Sequence, residues 1–90
     1  GGLKAMRAFI AKHVHYPQAA RMLKKEGRVI ILVQVDTRGN LSNYEVKTSD
    51  DPLFDKEALR VVKLMPRFVP NGEGKVVAGS VEIPVMFRLK

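Results

Sequence analysis

The 90-residue chain has no cysteine, only two histidines, no long apolar run, and no acidic residue other than Glu26 among its first 28 positions. Each shortage removes a class of function. Without cysteine there are no disulfides and no thiolate metal centres, although that absence chooses no compartment. His13 and His15 could begin a metal site, but zinc needs a third and usually a fourth ligand held in geometry, and no further imidazole or thiol exists to supply it. The pair therefore reads as polar residues at a helix end. No apolar stretch approaches the roughly 20 residues of a bilayer-spanning helix, and no charged and apolar leader follows Gly1 and Gly2, which read as a cloning remnant or linker.

What is abundant is positive charge. Lys4, Arg7, Lys12, Arg21, Lys24, Lys25 and Arg28 face that single acid, and the whole chain carries +7. Such a patch is either a solvated helix face or a means of steering toward nucleic acid, an anionic membrane, an acidic wall polymer such as peptidoglycan, or an acidic peptide; the field alone does not choose. An RNA-binding sheet would carry Phe or Tyr on its central strand, and residues 29–36 have none, which argues against nucleic acid. Asp50, Asp51, Asp55 and Glu57 crowd the start of a helix, where capping and the helix dipole explain them better than paired catalytic carboxylates do. No catalytic residue, cofactor site or metal site emerges, and the reading is of a protein that is not an enzyme.

The apolar pattern predicts one domain over residues 1–90, without repeats or low-complexity tracts. Leu3, Met6, Phe9, Ile10 and Val14 recur at helical spacing, so a first helix should cover about 3–13. Tyr16-Pro17 should turn the corner into a second helix opened by Pro17 and stopped by Gly27. Val29 to Asp36 is apolar on both faces, as a central strand is, and Thr37-Arg38-Gly39-Asn40 supplies a hairpin into a weaker strand over Leu41–Ser49. Asp51 and Pro52 should start a third helix with Phe54, Ala58, Val61, Val62 and Met65 buried before Pro66 stops it. A loop marked by Pro66, Pro70, Gly72 and Gly74 then leads to a last strand near Gly79. The expected fold is α+β: an antiparallel three-stranded sheet of order 2-1-3, helices on one face, with N-terminal helices followed by β-β-α-β.

That last strand is the most informative segment. Val81, Ile83, Val85, Phe87 and Leu89 alternate strictly around Pro84, and a proline inside a strand belongs at an edge because it cannot donate to the ladder. An exposed edge pairs with another chain, either as capture of a guest peptide or as two-fold pairing with a second copy. The backbone N–H groups of Glu82, Met86 and Arg88 share the side that Pro84 leaves without a donor, and Arg88 is placed to meet an acidic guest residue.

In order and spacing these features resemble the TonB C-terminal domain family. The resemblance rests on Tyr16-Pro17 with Ala20, Gly27-x-Val29, Gly39, Thr48-Ser49, Phe54-Asp55-x-x-Ala58-Leu59, Arg67-Phe68-x-Pro70 and Ile83-Pro84-Val85-x-Phe87. Ser49-Asp50-Asp51 and Phe68 depart from the Ser-Ser-Gly and Trp common in that family. The resemblance implies a periplasmic domain tethered to the inner membrane and driven by ExbB- and ExbD-like partners. It would bind the Ton box of an outer-membrane transporter as a strand beside the last strand, transmitting proton-motive energy for nutrient uptake. The residues so implicated are Val81, Glu82, Ile83, Pro84, Val85, Met86, Phe87, Arg88 and Leu89, with Tyr16 and Pro17 near the docked transporter. The alternative is a TonB-like or TolA-like docking module fused to a sensor or peptidase, without energy coupling.

Overall fold

The computed structural model describes residues 2–65 and 79–89, with side chains from residue 5 onward. Helix α1 covers Gly2–His13 and α2 covers Gln18–Met22; β1 (Gly27–Val35) and β2 (Leu41–Ser49) form a hairpin; a 3-10 turn, Pro52–Phe54, leads into α3 (Asp55–Lys63); β3 covers Gly79–Phe87. The sheet is antiparallel in the order β2-β1-β3, as the apolar pattern predicts.

The core follows from period two meeting period 3.6. Val29, Ile31, Val33 and Val35 of β1 and Ile83, Val85 and Phe87 of β3 bury one face of the sheet, against Phe54, Ala58, Val61 and Val62 of the α3 region, with Met6, Ile10 and Ala20 added from the N-terminal helices. Phe54 stacks on Phe87 with ring centroids 4.3 Å apart, and Tyr16 meets both rings edge-on at 5.9 Å. Ile30 and Leu32, on the opposite face, stay half-buried.

The hairpin turns as expected, with Gly39 at φ 84° and the Asp36 carboxylate accepting N–H bonds from Arg38 at 2.8 Å and Asn40 at 2.9 Å. Asp51 caps the 3-10 turn, its Oδ1 accepting from Leu53 N–H at 2.9 Å while its Oδ2 accepts from Lys25 at 2.7 Å. Both carboxyls are thereby held below their ordinary pKa: Asp51 chiefly by the Lys25 bond and then Leu53 N–H, Asp36 chiefly by Asn40 N–H. Because these folded values lie below the unfolded ones, their stabilisation is full above the usual carboxylate range of about 4 and is lost as pH falls through the depressed folded values. Acid titration of thermal stability should show this loss, and Asp51→Asn should flatten it; an unchanged acid limb in that variant would contradict the assignment.

Four details differ from the pattern reading. Helix α2 stops at Met22 rather than at Gly27. Lys24 takes the left-handed φ of 55°, with Lys24 N–H donating to Arg21 C=O at 3.0 Å and Lys25 N–H to Ala20 C=O at 2.9 Å, a Schellman-type ending. Met22 and Leu23 are 75% and 63% exposed, so another turn would bury nothing further. Gly27 instead opens β1, where a Cβ would stand 2.8 Å from the Asp50 Cβ and 3.4 Å from the Phe54 ring. Gly27→Ala should therefore lower stability by about 1–3 kcal/mol through overpacking, read in chemical denaturation; an unchanged midpoint would show that Asp50 moves aside freely.

Second, β2 alternates weakly because its register against β1 slips twice, and Asn43 takes φ 53°. The slip near Asn43 lets Leu41 and Tyr44, three residues apart, both pack on the core with Val46. Third, β3 ends at Phe87 and Leu89 lies beyond it, its N–H donated to the Glu26 carboxylate at 2.6 Å. Fourth, α3 ends at Lys63, leaving Met65 half-buried beyond it. Pro66, Arg67, Phe68, Pro70, Gly72 and Gly74, assigned from the sequence to a crossing loop, lie outside the described residues, as does the side chain of Leu3.

Candidate functional site

Arg28 fixes which way each backbone group of the sheet points. Its N–H donates to Asp50 Oδ2 at 3.0 Å and its C=O accepts from Asp50 N–H at 3.0 Å, so even-numbered residues of β1 direct their backbone toward β2. Odd-numbered residues therefore face β3. The β1–β3 register runs without a slip from Gly27 opposite Phe87 to Val35 opposite Gly79. Val81, Ile83, Val85 and Phe87 thus exchange bonds with β1, while Glu82, Pro84 and Met86 turn their backbone groups outward. Pro84 sits on the side where its missing N–H removes no bond from the molecule's own sheet.

Side chains follow the same parity. Ile83, Val85 and Phe87 are buried, Val81 is half-buried, and the backbone groups of all four face β1. Their contacts among the described residues are with the core and with β1. Glu82, Met86 and Arg88 are exposed and Pro84 is half-buried. Leu89 has its N–H engaged by Glu26. Tyr16 and Pro17 stand elsewhere: Tyr16 is wedged between Phe54 and Phe87, donates its hydroxyl to Lys25 C=O, and lies 5.6 Å below the Arg21 guanidinium, while Pro17 caps α2. Burial, then the Glu26 charge, pushes the Tyr16 phenol up, against the opposing pull of Arg21.

The remaining sequence candidates are engaged locally. Asp50 binds the Arg28 backbone rather than a helix end, and Asp55 accepts from the Ser49 hydroxyl. Glu57 accepts from His15 N–H at 2.5 Å and from Arg60 at 2.7 and 2.8 Å; burial pushes its carboxyl up, and these bonds outweigh that and leave it lowered. The His13 ring packs 4.4 Å from Phe9, and no group of three or more His, Asp or Glu side chains gathers for a metal among the described residues. No helix there is long and apolar enough to cross a membrane.

Beyond the rim of β3 lies open space that pattern reading did not reveal. A cavity of about 260 Å³ is lined by Met6, Arg7 and Ile10 of α1 together with Glu82, Ile83, Pro84, Arg28 and Ile30. A neighbouring one of about 490 Å³ is lined by Arg7, Ile10, Ala11, Arg28, Pro84 and Met86. The sequence marks Ile10 as apolar helix face and Arg7 as surface charge; only tertiary packing brings them beside β3.

The fold is that of an α+β domain whose three-stranded sheet ends on β3. The sequence matches the family described as Gram-negative bacterial TonB protein C-terminal over residues 12–89, and the chain belongs to that family. It is 34% identical over 92 residues to protein TonB of Pasteurella multocida, covering 94% of this chain and 33% of that protein. It is 36% identical over 90 residues to protein TonB of Haemophilus influenzae, covering 96% of this chain and 32% of that protein. The chain thus spans about a third of the length of these relatives. The fold matches the solution NMR structure of Helicobacter pylori TonB-CTD with a TM-score of 0.71 at 24% identity, covering 98% of this chain and 94% of that one.

Proposed function

We propose that this domain works in the periplasm as the receptor-binding end of an inner-membrane-anchored energy transducer. It captures the Ton box of an outer-membrane transporter as a fourth strand on β3 and is pulled by ExbB- and ExbD-like partners. It has no catalytic role. The observation that carries this reading is the terminal position of β3 with its outward backbone groups unpaired by any strand among the described residues. Main-chain pairing gives affinity without demanding a particular side chain at every position.

The grip is modest at equilibrium. Roughly 4–6 main-chain bonds at a net ~0.5–1.5 kcal/mol each give about 2–9 kcal/mol before the guest is ordered, which places binding between millimolar and, at its strongest, micromolar. A pull along the strand loads those bonds together, so a weak complex still transmits force before it parts. Titrating the isotope-labelled domain with Ton-box peptides tests the reading. Saturable binding with shifts centred on Glu82 to Arg88 is expected; absence of any shift at several-millimolar peptide, or shifts centred on β2, would refute it.

A further inference from the structure

The two cavities beside β3 have a property that strand capture alone does not require. Residues on opposite faces of a sheet border one space only around a sheet edge. The smaller cavity touches Ile83 on the core face and Glu82, Pro84 and Ile30 on the other, so it wraps the rim of β3. Helix α1 forms its far wall through Met6, Arg7 and Ile10, of which Met6 and Ile10 are anchored in the core at 6% and 4% exposure. A guest strand on β3 would lie in this space and touch α1. The family match begins at residue 12, so every α1 residue lining this wall precedes it.

The slot is electrostatically incomplete. Arg7 and Arg28 line both cavities, one from the helix and one from the sheet, and neither guanidinium has an ion-pair or hydrogen-bond partner among the described residues. Glu82, the one acid on these walls, is engaged by Lys47. Between the two arginines the larger cavity is lined by Ile10, Ala11, Pro84 and Met86, and its volume falls within the about 300–1,000 Å³ of ordinary ligand sites. Two guanidiniums without a partner among the described residues, at a partly apolar slot, favour a carboxylate, which accepts paired N–H bonds from arginine more strongly than a neutral amide does.

We propose that α1 and the rim of β3 form the two walls of a selective slot, in which Arg7 and Arg28 take an aspartate or glutamate side chain of the captured segment. The inference rests on the strand-addition reading and adds a chemical preference to it. Acidic guests are favoured, and α1 acts as a second binding surface rather than as packing alone.

The test uses short acetylated and amidated peptides of alternating Val and Thr, with one Glu moved through every position and a Gln twin for each. Calorimetry should show one position at which Glu binds about tenfold tighter than Gln, with the difference shrinking at high salt. Arg7→Gln and Arg28→Gln should each reduce that ratio toward one, Arg7→Lys should retain part of it, and Arg7→Glu should favour a Lys peptide at the same position. Both arginines are exposed, so unchanged circular-dichroism melts are expected in every variant. Equal binding of Glu and Gln twins at all positions would overturn the slot while leaving strand capture standing. So would a Glu preference that survives both arginine substitutions. Failure of every peptide to bind would remove strand capture and the slot together.

Discussion

Replacing Phe54 by alanine should lower the unfolding free energy by about 3–5 kcal/mol, the range for truncating a fully buried aromatic side chain. Phe54 is 0% exposed, stacks on Phe87 at 4.3 Å and meets Tyr16 at 5.9 Å, so removing its ring leaves two aromatic faces without a neighbour. It also joins elements distant in sequence, since Phe87 closes β3, Tyr16 turns α1 into α2, and Phe54 leads into α3. A domain of this size has about 5–15 kcal/mol in total, so the variant should unfold at much lower urea with little change in slope. Phe54→Leu, which keeps most of the volume, should cost far less. A loss below ~1 kcal/mol for the alanine variant would mean that neighbouring side chains collapse into the space.

Proline substitutions at two adjacent positions of β3 should have opposite consequences. Val85 directs its N–H to β1, so Val85→Pro removes a ladder bond, forces a ring against the neighbouring strand and should cost about 1–3 kcal/mol for the buried acceptor left unsatisfied. Met86 directs its N–H outward, as Pro84 does, so Met86→Pro should leave the sheet intact. That variant should instead weaken peptide capture by roughly two- to tenfold, the worth of one main-chain bond. Urea denaturation and peptide titration on both proteins separate the two effects. The reverse outcome, a stable Val85→Pro and an unfolded Met86→Pro, would mean that the inward and outward faces of β3 are exchanged.

The architecture was legible where one physical preference dominates. Strict alternation around Pro84 gave β3 and its edge position, two apolar faces gave β1 the centre, and Gly39 and Asp51 marked the hairpin and the cap. Legibility ended where tertiary contact decides. Gly27 looks like a helix stop but is needed for the close approach of Asp50 and Phe54. The left-handed ending at Lys24 has no glycine to announce it, and the shifts within β2 show in the sequence only as weak alternation. At the candidate site, parity could be read in advance, because Glu82, Pro84 and Met86 follow from period two. The far wall could not, because Arg7 and Ile10 are separated from β3 by more than 60 residues and their meeting depends on how α1 leans.

Amide exchange on β3 tests the central claim most directly. With a Ton-box peptide bound, the amides of Glu82 and Met86 should exchange far more slowly than in the free domain, while those of Ile83 and Val85, already bonded to β1, should change little. Saturating peptide that leaves the Glu82 and Met86 amides exchanging at their free rates would contradict capture of a strand at this edge.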